Sequence, residues 1–87
     1  MLNTIRAVEK VLVHKGYQVE QNDGLLRLKF RRNTSQNFYG VIEFRDTIGW
    51  VKYGVTGMFL KSRWVEDLKQ LDALIEASVA EYESWPP

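Results

Sequence analysis

The apolar residues of this 87-residue chain change period twice, and no other feature constrains its fold as much. Leu2, Ile5, Val8 and Leu12, with Val11 beside them, recur at the spacing of one helix face. From Tyr17 the period drops to two. Tyr17, Val19 and Gln21 alternate with Gln18 and Glu20, and then Leu26, Leu28 and Phe30 alternate with Arg27, Lys29 and Arg31. Helical spacing returns in Leu68, Leu71, Leu74, Ile75, Val79 and Tyr82. Strands enclosed by two terminal helices imply an α+β fold, and strands joined by short turns imply an antiparallel meander.

Local signals place the boundaries. Asn3 or Thr4 is expected to cap the first helix, and Gly16 to stop it, because glycine adopts the left-handed C′ conformation without strain. His14 and Lys15 in the last turn suit the negative end of the helix dipole. Asn22-Asp23-Gly24 reads as a hairpin turn and Arg32 to Asn37 as a polar loop. Further strands are expected over 38–45 and 50–56, with a turn over 46–49. Residues 57–64 fit an extension of the fourth strand, a fifth strand or a segment wrapping the sheet edge. The last helix is expected to start near Ser62 or Val65 and to end before Pro86. The order is therefore α-β-β-β-β-α in a single domain, 1–87, with four strands, possibly five, and both helices on one sheet face.

Composition supports such a core and removes several chemistries. A chain this short buries only about 60–65% of the surface that its unfolded form exposes, yet 45% of its residues are apolar and 13% aromatic, with three Trp. The absence of Cys excludes disulfides, a thiol nucleophile and thiolate metal sites. Arg6, Glu9 and Lys10 interrupt the first apolar segment, and no apolar run approaches the roughly 20 residues of a bilayer span. The chain reads as cytoplasmic, with no membrane contact, no metal and no cofactor.

His14 is the only histidine, so two-histidine metal motifs are impossible and a Ser-His-Asp triad would need that one surface imidazole. Lys61-Ser62 follows Leu60 rather than glycine, which excludes a phosphate-wrapping loop. Gly49, Gly54 and Gly57 instead fit a turn, a bulge and a strand end. Glu43 and Asp46 straddle a strand end and point to different sides. Glu66, Asp72, Glu76 and Glu83 read as the solvated stripe of the last helix, not as desolvated acid–base pairs. The chain reads as a non-enzyme.

Strand alternation sorts the remaining residues by face. The core side is expected to take Tyr17, Val19, Leu26, Leu28, Phe30, Ile42, Phe44, Val51, Tyr53 and Val55. The outer side takes Arg27, Lys29 and Arg31, then Tyr39, Val41, Glu43 and Arg45, then Trp50, Lys52 and Thr56. Charge is polarised as well. Residues 1–61 carry ten basic and five acidic groups, and residues 62–87 carry two and six.

Three readings of the outer face follow. It is a solvated surface in which Glu43 sits between Lys29 and Lys52 in a cross-strand charge ladder. It is a protein interface, for a homodimer or a separate partner in an adaptor-like or inhibitor-like role. Tyr39, Val41 and Trp50 then form one patch, and Met58, Phe59 and Trp64 a second. Or it binds nucleic acid, with Arg27, Lys29, Arg31, Arg32 and Lys52 holding phosphates while Tyr39 and Trp50 stack bases.

Residues 37–44 resemble the strand signature of RNA-recognition motifs at Tyr39, Gly40, Ile42 and Phe44. They lack its leading Lys/Arg and Gly, and Val41 stands where a second stacking aromatic belongs. That family also places two strands between its helices rather than four. The helix–strands–helix order loosely resembles double-stranded RNA-binding domains. Their second helix opens with a lysine cluster, whereas Lys61, Arg63 and Lys69 are interleaved here with Glu66 and Asp67. Charge and aromatic placement, not membership of either family, carry the nucleic-acid reading.

Overall fold

The computed structural model describes residues 2–22, 26–32, 38–55 and 57–83. Helix α1 (Leu2–His14) leads into β1 (Gln18–Asn22), β2 (Arg27–Arg31), β3 (Phe38–Glu43), β4 (Gly49–Val55) and β5 (Met58–Val65), and α2 (Leu68–Glu83) closes the chain. The five strands form one antiparallel sheet in sequence order. The segment that the sequence left open is the fifth strand. The turn expected at Asp23-Gly24 and the loop at 33–37 lie outside the described residues.

Helix α1 begins at Leu2, so Asn3 and Thr4 lie inside its first turn rather than ahead of it. It ends as its sequence dictates. Gly16 has a φ of 93°, its amide donates to the Val13 carbonyl at 3.0 Å, and the Tyr17 amide donates to that of Leu12 at 3.0 Å. That pair of bonds is a Schellman closure, and it buries Tyr17 beside Leu12. Helix α2 starts later than its sequence suggests, because Ser62–Val65 pair with β4 as strand. Its cap is Asp67, whose Oδ1 accepts the Gln70 amide at 2.8 Å, while Gln70 Oε1 accepts the Glu66 amide at 2.8 Å.

Both helices lie on the same side of the sheet. Ile5, Val8 and Leu12 of α1 and Leu71, Ile75, Val79 and Tyr82 of α2 share one core with Leu28, Phe30, Ile42, Val51 and Tyr53. Phe38, which the alternation left unassigned, is the centre of that core. It is 1% exposed and its ring lies 5.8–6.3 Å from those of Tyr17, Phe30, Tyr53 and Tyr82. Ile48, from the β3–β4 turn, and Val65 are also buried.

Leu26 is a correction. It lies in a turn before β2, where strand alternation no longer sets the side, and is 60% exposed, although its carbonyl still accepts the Phe44 amide at 2.9 Å. No helix among the described residues is long and apolar enough to cross a membrane.

Candidate interaction surface

With both helices on one side, no described residue covers the other face of the sheet, and the register arranges it in three rows. One row runs Arg31–Tyr39–Gly54–Phe59, the next Lys29–Val41–Lys52–Ser62, and the third Arg27–Glu43–Trp50–Trp64. Aromatic pairs close the two outer rows. Tyr39 and Phe59 meet at 5.0 Å between ring centroids, tilted by 31°. Trp50 and Trp64 meet edge to face at 5.4 Å and 74°. The two rows are four residue steps apart along β3, from Tyr39 to Glu43, which is about 13 Å at strand rise.

A β-bulge makes this face continuous. Val55 pairs with Met58 and Gly54 with Phe59, but Tyr53 pairs with Lys61, so Leu60 is the extra residue. Without it, Trp50 would face Arg63, and Phe59 and Trp64, five residues apart, would lie on opposite sides of the sheet. The bulge restores both rings to the outer face and leaves Leu60 packed against the core. Gly54 is what admits the bulge, since a Cβ there would stand 2.2 Å from the Met58 carbonyl oxygen and 2.9 Å from the Leu60 amide nitrogen.

The rings are only half covered by their partners. Trp50, Phe59 and Trp64 keep 43, 48 and 42% of their surface exposed, while Tyr39 and Val41 are half-buried. Between the aromatic pairs lies a shallow depression lined by Glu43, Trp50, Lys52 and Ser62. Glu43 is the acid within the three rows and sits among cations, 3.5 Å from Lys52 and 3.9 Å from both Arg27 and Arg45. The expected ladder is therefore shifted by one row, because the β2–β3 register sets Lys29 opposite Val41 and Arg27 opposite Glu43. Lys29 and Arg31 remain exposed beside Val41 and Tyr39.

Five of the six interface residues read from sequence come together here: Tyr39, Val41, Trp50, Phe59 and Trp64. Met58 does not. It pairs with Val55, across from Phe38, and so belongs to the helix side although it is exposed. Among the cations, Arg32 departs from the set. It follows the outer Arg31 by one residue and reaches the Tyr17 hydroxyl beneath α2, which leaves Arg27, Lys29, Arg31 and Lys52 on the outer face. Thr56 lies outside the described residues. Sequence reasoning missed Ser62 and the two ring pairings. Gly57 and Gly54 mark the hairpin and its bulge, but not which way the slip runs.

The helix side offers an alternative groove, beside α1 and the start of α2, lined in part by Glu9, Val13, His14 and Asp72. Asp72 is half-exposed and bonded to Lys15 at 2.6 Å, which is the setting of a solvated ion pair rather than of a desolvated general acid. Among the described residues no three His, Asp or Glu side chains cluster as metal ligands do. No protein-family model, curated protein or solved structure matches this chain at a significant level. Any functional reading therefore stands on the chain's own geometry.

Proposed function

We propose that this chain is a non-enzymatic interaction protein, adaptor-like or inhibitor-like, that binds a protein partner through the outer face of its sheet. One observation carries the reading. Two cross-strand aromatic pairs, Tyr39–Phe59 and Trp50–Trp64, stand on a face that neither helix covers. Tyr and Trp dominate binding energy where they are desolvated at the centre of an interface, with charged groups at its rim. Here Arg27, Lys29, Arg31 and Arg45 supply that rim, while Lys52 lies between the two aromatic pairs, ion-paired to Glu43.

Pairing Tyr39→Ala with Trp50→Ala is expected to abolish partner pull-down and any self-association seen by light scattering, while the far-ultraviolet spectrum stays unchanged. Unaltered capture and unaltered oligomeric state in that variant would sink the proposal.

A second reading, single-stranded nucleic acid, is favoured by Lys29 and Arg31 standing exposed next to Val41 and Tyr39. Stacking on Tyr39 and Trp50 with phosphates on Lys29, Arg31 and Lys52 would give binding that falls steeply with salt, because counterions are released. Fluorescence anisotropy with labelled oligonucleotides at low and physiological salt separates the two readings. Salt-insensitive or absent binding removes the second.

A further inference from the structure

The outer face ends at β5, and among the described residues β5 has a strand neighbour on one side only. It is the longest strand of the sheet, eight residues, with Met58, Phe59, Ser62, Arg63 and Trp64 all exposed. A bare edge presents unpaired backbone N–H and C=O groups that template a further strand. Natural sheets blunt such edges with proline, charge or a bulge. β5 has the bulge at Leu60 and two cations, but no proline and no acid.

The two sides of this edge differ chemically. On the outer side Phe59, Ser62 and Trp64 project, and on the helix side Lys61 and Arg63, which sit opposite Tyr53 and Val51. Lys61 is held by Glu81 at 3.2 Å. Arg63 makes no ion pair among the described residues, and its guanidinium folds back to donate to the neighbouring Ser62 carbonyl at 2.9 Å. A second copy of β5 laid antiparallel would set Lys61 and Arg63 against the same cations, so charge opposes self-pairing. An incoming strand with acids on one side and apolar residues on the other meets both needs.

We infer that β5 accepts an extended acidic segment of the partner protein as a sixth strand. The segment alternates apolar residues, which lie against Trp64 and Ser62, with Asp or Glu, which pair with Arg63. Main-chain hydrogen bonds supply the affinity and the alternating side chains the selectivity. The inference rests on the outer face being a protein-binding surface and names what approaches its rim. It commits to the regular stretch Ser62–Val65, since the bulge at Leu60 interrupts the edge beyond.

The test is a titration with a labelled hexapeptide alternating valine and glutamate, against the same peptide with lysine for glutamate. The glutamate peptide is expected to bind at least about tenfold more tightly, and Arg63→Glu to reverse that order. Methylating alternate peptide nitrogens removes binding, and amide exchange slows in Ser62–Val65 while β1 stays unchanged. Equal affinity for the two peptides, no binding of either, or protection at β1 overturns the inference. So does a peptide-free dimer joined through β5, or an oligothymidylate that displaces the bound peptide. Partner capture then separates the levels. If Tyr39→Ala with Trp50→Ala abolishes capture and Arg63→Glu does not, the edge inference fails and the interaction face stands. If neither variant changes capture, both fail.

Discussion

On the helix side of the sheet, Phe30, Phe38 and Tyr53 are at most 4% exposed and each touches further rings. On the outer side, Trp50, Phe59 and Trp64 keep 42–48% of their surface although they too are paired ring to ring. Strand β4 contributes to both sets, with Tyr53 on one side and Trp50 on the other. What separates them is enclosure. The inner rings are sealed by α1 and α2, so removing one leaves a cavity, whereas the outer rings rest on one neighbour and the sheet. Inner aromatics therefore hold the fold, and outer aromatics are expected to serve binding at little cost to stability.

The sharpest break of that contrast is Phe38→Ala. Truncating a sealed ring typically costs about 3–5 kcal/mol, a large part of the stability of a domain this size. Urea denaturation is expected to show that loss for Phe38→Ala and less than about 1 kcal/mol for Trp50→Ala. Comparable losses at the two positions would mean that the outer face is as much a core as the inner one.

Gly54→Ala comes next. The added methyl would meet the backbone of the bulge, not the end of a flexible side chain, so a loss of about 1–3 kcal/mol is expected. Because the bulge sets the side of Phe59, the same variant is expected to shift the Tyr39 and Phe59 ring resonances. Unchanged stability and unchanged spectra would show that the bulge does not depend on glycine.

The smallest effects lie at the joint between the helices. Lys15, just past α1, bonds Asp72 at 2.6 Å and Glu76 at 2.5 Å on α2. Lys15→Ala is expected to cost about 0.2–1 kcal/mol, less at high salt, because the acids are exposed. The hydrogen bond that it donates to Asp72, and then that to Glu76, raise the Lys15 ammonium above its ordinary 10.5. Burial raises the Tyr17 phenol above 10.0. For a group raised on folding, stability is complete below the unfolded-state value and is lost as pH climbs through the folded-state one. Stability is thus expected to hold up to about pH 10 and to decline above it, with part of the decline removed in Lys15→Met and part in Tyr17→Phe. Urea midpoints from pH 8 to 11.5 measure this, and a flat profile above pH 10 would contradict both assignments.

Much of this molecule follows from local chemistry that the sequence carries openly. The helical spacing of Leu2, Ile5, Val8 and Leu12, the stop at Gly16, the alternation through Leu28 and Phe30, and the α+β order all rest on backbone geometry a few residues long. Tyr39, Val41 and Trp50 fall on the outer face for the same reason. What required tertiary structure was everything set by pairing between strands. Whether Leu26 reaches the core, which cation stands opposite Glu43, and which way Arg32 turns depend on where strands begin and how they align. The edge strand is the clearest case. A slip of one residue at Leu60 reverses the sides of everything before it, and so brings Phe59 to Tyr39 while leaving Trp64 on Trp50. Periodicity gives a strand two sides, but only pairing with its neighbour, here across Gly54, decides which residues share one.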